Sequence, residues 1–116
     1  MGKKYKPACT KELKELLEKD VRLGDIDTSL ITDMTELFLR SKRKNFDGLE
    51  TWDTSNVTTM KGMFCMAKYF NHPIECWDVS KVRDMSRMFS EASAFDQPLE
   101  GWDVSNVRNM ESMFAS

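Results

Sequence analysis

The sequence predicts an α/β solenoid, in which short helices alternate with short parallel strands behind an N-terminal helical cap. The first observation is a tryptophan-aspartate phrase that recurs every 25 residues, at Trp52, Trp77 and Trp102. The second is that each phrase leads into one apolar pattern, which ends in methionine-phenylalanine. The third is an amphipathic segment without the phrase that precedes the first repeat. A fixed period of about 20–50 residues is typical of stacked repeats, and these need a cap over their first unit.

The bulk composition is typical of one soluble, folded domain. The chain has 116 residues, 41% apolar and 31% charged, a balance that argues against disorder. Its net charge of −2 gives no general attraction to nucleic acid or to an anionic membrane. No apolar run approaches the ~20 residues of a membrane helix. The basic N-terminus lacks the hydrophobic segment of a secretory signal peptide.

Residues 1–25 are predicted to form a cap helix and a lead-in to the repeats. The helix is expected over residues 10–22, where Thr10 is a suitable N-cap and Gly24 follows as a stop signal. Its apolar residues recur at helical spacing and are expected to cover the first repeat. They are Leu13, Leu16, Leu17 and Val21.

The repeats occupy residues 26–116 as one structural domain, and the first copy is disguised. Ile26 stands where the later copies have tryptophan, and the next three residues match the later aspartate-x-serine. The predicted units cover residues 26–51, 52–76 and 77–101, with an incomplete unit over 102–116.

Each unit is predicted to contain one short helix and one short strand. Apolar residues from Val57 to Ala67 recur at i, i+3, i+6, i+7 and i+10, which is one face of a helix. Pro73 ends this helix, and residues 74–79 are expected to form a strand that pairs in parallel with neighbouring units. Stacking of the units, with right-handed connections, would bury the repeated residues. The predicted core residues are Ile26, Trp52, Trp77, Trp102, Val57, Val82, Val107, Met60, Met85, Met110, Phe38, Phe64, Phe89 and Phe114.

The repeated phrase, Trp-Asp-Val-Ser-Asn-Val followed by Met-x-x-Met-Phe and Phe-x-x-Pro-Leu, resembles a repeat of bacterial surface proteins. That family includes lipoprotein-associated and BspA-like leucine-rich-repeat proteins, and the resemblance covers residues 26–116. It implies a leucine-rich-repeat-like solenoid that serves as a non-catalytic scaffold for protein–protein interaction, in surface display or adhesion. It implies a host or cell-surface protein as partner and a location at the cell surface or outside the cell. The lack of a signal peptide leaves a cytoplasmic location open.

The residues predict no enzyme, no cofactor site and no metal site. Acid–base and nucleophilic mechanisms need a positioned base, which is most often histidine. The single histidine, His72, occupies a repeat position that holds Gln97 in the next unit, which indicates a solvated loop. Asp53, Asp78 and Asp103 recur at the repeat spacing, and we expect them to accept backbone N–H groups. A ladder of bound cations along these aspartates is the alternative.

Two sets of outward residues are candidates for binding. For a protein partner, the candidates are polar residues near the predicted strands: Glu50, His72, Glu75 and Glu100. The alternative function is an anionic-ligand or nucleic-acid-binding module that uses the basic loop within the first repeat: Arg40, Lys42, Arg43 and Lys44. Nucleic acid is the weaker alternative, because the aromatic residues follow the repeat and are expected in the core, away from bases.

The incomplete last unit predicts a further contact. Met110, Met113 and Phe114 belong to a unit without a return strand, so their apolar face would lie bare. We therefore expect self-association through this end, or its loss where a native chain continues.

Overall fold

The structure is a computed structural model that describes residues 2–116, and its regular elements are short. Helix α1 spans Thr10–Leu17, and two 3-10 helices span Leu23–Asp25 and Leu49–Thr51. Parallel pairing within the described residues is confined to isolated bridges. These join Tyr5 to Ile26, Asp33 to Thr59, Thr59 to Asp84, and Asp84 to Asn109.

The prediction of an α/β solenoid is wrong. The segment from Val57 to Ala67, for which we predicted a helix, consists of turns and irregular backbone, and residues 74–79 form no strand. The radius of gyration is 13.1 Å, close to the ~13 Å of a compact domain of about 100 residues. The chain is therefore a compact body with one short α-helix among its described residues, and the leucine-rich-repeat-like architecture does not apply to it.

Backbone N–H groups in each repeat alternate between two kinds of acceptor, and this alternation explains why the predicted helices are absent. Met63 donates to the carbonyl oxygen of Met60, three residues earlier, at 3.1 Å. The next residue, Phe64, donates instead to Met88 in the following repeat, at 2.9 Å. An α-helix would direct both N–H groups to carbonyls four residues earlier. Each three-residue turn brings another apolar side chain to the interior. Buried residues therefore recur about every three positions, which resembles the burial pattern of a helix.

These turns place residues other than glycine in the left-handed region of the backbone. Positive φ angles occur at Glu36 (55°), Arg87 (57°) and Ser112 (56°), which share a repeat position with Gly62 (60°). Left-handed backbone costs an ordinary residue about 1 kcal/mol or more. Glu36 and Arg87 donate their N–H groups to the next repeat at 2.8 and 3.0 Å. Pairing between repeats therefore holds these turns in place.

Helix α1 is shorter than the predicted segment of residues 10–22. Cys9, in extended conformation, occupies the N-cap, so Thr10 is the first helical residue and not the cap as predicted. The Thr10 hydroxyl donates instead to the carbonyl oxygen of Asp33 at 2.6 Å, and Leu13 is fully buried. The other apolar residues of the segment are half-buried against the core: Leu16, Leu17 and Val21. Helix α1 therefore packs on the first repeat.

Aromatic side chains connect the repeats to one another and to the lead-in segment. The indole Nε1 of Trp52 donates to the carbonyl oxygen of Leu23 at 2.9 Å, and that of Trp102 donates to Ile74 at 3.0 Å. Phenylalanine rings stack along the repeats, with centroid distances of 5.5, 5.8 and 5.5 Å, in the order Phe38, Phe64, Phe89 and Phe114. The apolar core is continuous from repeat to repeat as a result.

Candidate functional site

Most of the repeated residues are buried and are therefore unavailable to a ligand. They are Ile26, Trp52, Trp77, Trp102, Val57, Val82, Met60, Met85, Phe38, Phe64 and Phe89. The last repeat differs, because Val107 is half-buried and Met110 and Phe114 are 43% and 61% exposed. Candidate sites therefore lie among the outward polar residues and at the last repeat.

Glu50 and His72, which come from neighbouring repeats, contact each other. The Nε2 atom of His72 lies 2.7 Å from Oε1 of Glu50. The hydrogen bond with His72 is the main reason why the pKa of Glu50 lies below its usual range, and hydrogen bonds from backbone N–H groups add to the effect. One of these groups is the N–H of Gly48, at 3.0 Å from Oε1. The pair therefore links two repeats through Oε1 of Glu50 and Nε2 of His72.

The other two acidic candidates, Glu75 and Glu100, lie outside this pair. Oε2 of Glu75 accepts the N–H of Gly101 at 3.0 Å, which is a second contact between repeats. Glu100 is exposed. The four predicted residues therefore do not converge on one site.

The basic loop is largely exposed. Arg40, Lys42 and Lys44 are exposed, whereas Arg43 is half-buried. The backbone anchors the start of this loop, because the N–H of Arg40 donates to the carbonyl oxygen of Cys65 at 2.8 Å. The positive side chains of the loop are thus carried on a backbone that is fixed to the next repeat.

Two functional candidates in the next repeat, Lys68 and Tyr69, were missed by the sequence analysis. The Nζ atom of Lys44 lies 4.9 Å from the centre of the Tyr69 ring, and that of Lys68 lies 5.5 Å from it. A cation within about 6 Å of the centre of an aromatic face is attracted by the ring. We call these three side chains the basic–aromatic patch.

A sequence signal for this patch exists in the repeat alignment. Lys44 stands two residues before Phe46, and Lys68 stands two residues before Phe70. The two lysines are therefore equivalent residues of adjacent repeats. The contact with the Tyr69 ring follows from the fold and has no counterpart in the local sequence.

Each recurring aspartate closes a short turn with the serine two residues later. Oδ1 of Asp53, Asp78 and Asp103 accepts the N–H of the serine two residues later, at 2.9, 3.0 and 3.0 Å. The hydroxyl of Ser80, followed by its N–H, holds the pKa of Asp78 below its usual range. Within residues 2–116, no three His, Cys, Asp or Glu side chains are grouped as a metal site requires.

Within residues 2–116, the outer edge of the last repeat lacks the backbone acceptors that the earlier repeats have. The N–H groups of Met85 and Phe89 each donate at 2.9 Å to a carbonyl of the last repeat. The equivalent residues one repeat later, Met110 and Phe114, donate to no backbone carbonyl within the described chain, and neither does Ser112 between them. We call these three residues the last-repeat edge.

An apolar cleft adjoins this edge. It has a volume of about 650 Å³ and is open to solvent. Phe89, Phe95 and Phe114 supply aromatic surface, and Lys68 and Glu91 stand at its polar margin. The edge and the cleft together offer backbone donors beside exposed aromatic carbon.

Within residues 2–116, no helix combines the length and the apolar character that crossing a membrane would require. Among protein families, the one described as "Mycoplasma protein of unknown function, DUF285" matches residues 9–116, which include α1 and all of the repeats. No curated protein and no solved structure matches the chain.

Proposed function

The chain belongs to the repeat-type family of Mycoplasma proteins of unknown function, DUF285, and we propose that it is a non-catalytic scaffold for protein–protein interaction. We also propose that the chain is related to BspA-like surface proteins and that it serves in surface display or adhesion. The surface proposed for the interaction is the last-repeat edge, which would accept a further protein segment, either a following part of the same polypeptide or a separate partner.

The polar part of the edge suits an extended protein segment. In the preceding repeat, the N–H groups of Met85, Arg87 and Phe89 donate to the carbonyl oxygens of Asn109, Glu111 and Met113. The last-repeat edge presents the same alternate pattern of donors without those acceptors. A partner segment in extended conformation supplies carbonyls at alternate residues, which is how chains add to exposed backbone edges.

The apolar part of the edge defines the side chain that such a segment should carry. Phe114 stacks on Phe89 at a centroid distance of 5.5 Å and is still 61% exposed. One repeat earlier, Phe89 and Phe95 stack at 4.1 Å, and Phe95 also stacks on Phe70 at 5.4 Å. The cleft beside Phe95 and Phe114 would therefore accept an aromatic or methionine side chain of the partner.

The predicted polar candidates have smaller parts in this proposal. Glu50 and His72 bond to each other, and Glu75 bonds to Gly101, so these side chains chiefly link repeats. All three glutamates are exposed, and Glu100 is the one that we retain for contact with a partner, because the side chains of Glu50 and Glu75 are engaged in contacts between repeats.

The interaction can be tested with a defined peptide. A labelled peptide of residues 106–116 offers the carbonyls that Asn109, Glu111 and Met113 provide between repeats. We expect its fluorescence anisotropy to rise saturably with added full chain. Phe114→Glu should weaken this binding about tenfold, because it removes a central apolar contact. Leu30→Glu is the matched control, since Leu30 is 50% exposed and lies outside the edge.

Equal loss in both variants, or no saturable binding to the wild-type chain, would refute the edge as an interaction surface. Light scattering at rising concentration tests self-association through the same edge, and a strictly monomeric chain argues against that partner. Adhesion is tested separately by binding of the purified chain to host cells. A Phe114→Glu variant that binds cells like the wild type excludes the edge from adhesion.

A further inference from the structure

We propose that the basic–aromatic patch, together with the neighbouring basic loop, binds a linear sulfated polysaccharide. This ligand goes beyond the protein interaction proposed above, and Lys68 is the one residue that the patch shares with the cleft. Three features support this ligand: two lysines at one repeat position, the closeness of both ammonium groups to one tyrosine ring, and the placement of these cations at the ring on which a base would have to stack.

The first feature is the repetition of positive charge at one position. Lys44 and Lys68 occupy equivalent positions in adjacent repeats, and both ammonium groups lie near one ring although like charges repel. The two ion pairs within residues 2–116 join Lys4 to Asp25 and His72 to Glu50, and neither involves these lysines. The chain as a whole carries a net charge of −2, so this patch departs from the average.

The second feature is the position of the ammonium groups. Both lie over or beside the Tyr69 ring, at 4.9 and 5.5 Å from its centre. The ring attracts each cation and restricts its motion, while each ammonium keeps N–H donors for another acceptor. The third repeat has Ser93 and Ala94 at the corresponding positions, so the ordered charge is confined to the first two repeats.

The third feature distinguishes a sulfated polysaccharide from nucleic acid. Proteins that bind single strands without sequence preference stack successive bases on aromatic side chains. Tyr69 is 40% exposed, but two ammonium groups already lie against its ring. Sulfate groups need clustered cations and no stacking face. Arg40 and Lys42, which are exposed in the adjoining loop, extend the positive surface.

The test compares two double variants that change net charge equally. Binding of the full chain to size-defined heparin is measured at physiological salt, together with the salt concentration that elutes the chain from a heparin column. Lys44→Gln with Lys68→Gln should weaken binding about tenfold, because screened contacts to a polyanion are lost. Lys11→Gln with Lys19→Gln is the control, since both lysines are exposed and lie outside the patch. Thermal unfolding confirms that each variant is folded.

Two results would overturn the proposal. If both double variants weaken heparin binding equally, the binding depends only on the net charge of the chain. If single-stranded DNA displaces heparin at a lower concentration of negative charge than unlabelled heparin requires, the ligand is nucleic acid. Tyr69→Leu supplies a readout that leaves charge unchanged. We expect it to weaken heparin binding about threefold, because the ammonium groups lose their ordering, and wild-type affinity in this variant would contradict the role of the ring.

Discussion

The indole Nε1 of Trp77 donates a hydrogen bond to the backbone carbonyl oxygen of Leu49, which lies 3.1 Å away at the end of the unit of residues 26–51. The same oxygen accepts the backbone N–H of Trp52, also at 3.1 Å. One carbonyl therefore closes the 3-10 helix Leu49–Thr51 and also holds the tryptophan that opens the unit of residues 77–101. The tryptophan of the repeated phrase acts as a link between repeats as well as an apolar side chain.

Replacement of Trp77 by phenylalanine should lower the free energy of unfolding by about 2–3 kcal/mol. The change removes a buried hydrogen bond and part of a side chain that is 4% exposed. Urea denaturation measures the loss. Tyr69→Phe is a suitable control, because it removes a hydroxyl from an exposed ring and should cost less than about 0.5 kcal/mol. Similar losses in the two variants would mean that the indole bond contributes little.

The close contact between Gly24 and Gly48 predicts a large difference between two alanine substitutions. A Cβ atom at Gly48 would lie 2.4 Å from the Gly24 nitrogen, and the φ angle there is +95°. Gly48→Ala should therefore lower the free energy of unfolding by about 3 kcal/mol. At Gly24 the new Cβ would meet the Gly48 Cα at 3.5 Å, an ordinary contact. Gly24→Ala should lower the free energy of unfolding by less than about 1 kcal/mol. Thermal unfolding of both variants measures the difference.

The spacing of apolar residues indicated an inward side for most of the repeated residues, with Met110 and Phe114 as exposed exceptions, but it did not indicate the backbone conformation. Val57 and Ala67 are fully buried, because the spacing of apolar residues reports the side that faces inward. The conformation depends instead on bonds between repeats, such as that from Phe64 to Met88, and these lie outside any local window. Glu36 and Arg87 adopt positive φ without the glycine that normally signals such a turn.

The strained turn at Arg87 predicts a substitution that stabilises the chain. Arg87 has a φ angle of 57° and an exposed side chain, and glycine occupies the equivalent position 62. Arg87→Gly should raise the free energy of unfolding by about 0.5–1 kcal/mol, because glycine adopts this conformation without steric cost.

The matched control for Arg87→Gly is Arg83→Gly. Arg83 is exposed and is not among the residues with positive φ. There glycine should lower the free energy of unfolding by about 0.5–1 kcal/mol, because it only adds freedom to the unfolded chain. Opposite signs in chemical denaturation are the expected result, and destabilisation by both substitutions would argue against strain at Arg87.

The candidate site was predictable only in part, for the same reason as the fold. Glu50 and His72 were both selected from the sequence, but their contact joins residues 22 positions apart and depends on how the repeats pair. Tyr69 lies between Lys68 and a core phenylalanine, and nothing local marks its contact with Lys44. Composition identifies charged residues, whereas the pairing of repeats decides which of them meet.

The contact between Glu50 and His72 predicts that the stability of the fold depends on pH in the acidic range. Because the folded-state pKa of Glu50 lies below its ordinary value of 4.5, this carboxylate stabilises the fold above that value. The contribution is lost as the pH falls through the depressed folded-state pKa. Glu50→Gln should therefore lower the unfolding temperature at pH 7 more than at pH 3. Glu100→Gln removes a carboxylate from another exposed residue and serves as the control. If the Glu50→Gln effect is the same at both pH values, ionisation of Glu50 does not stabilise the contact.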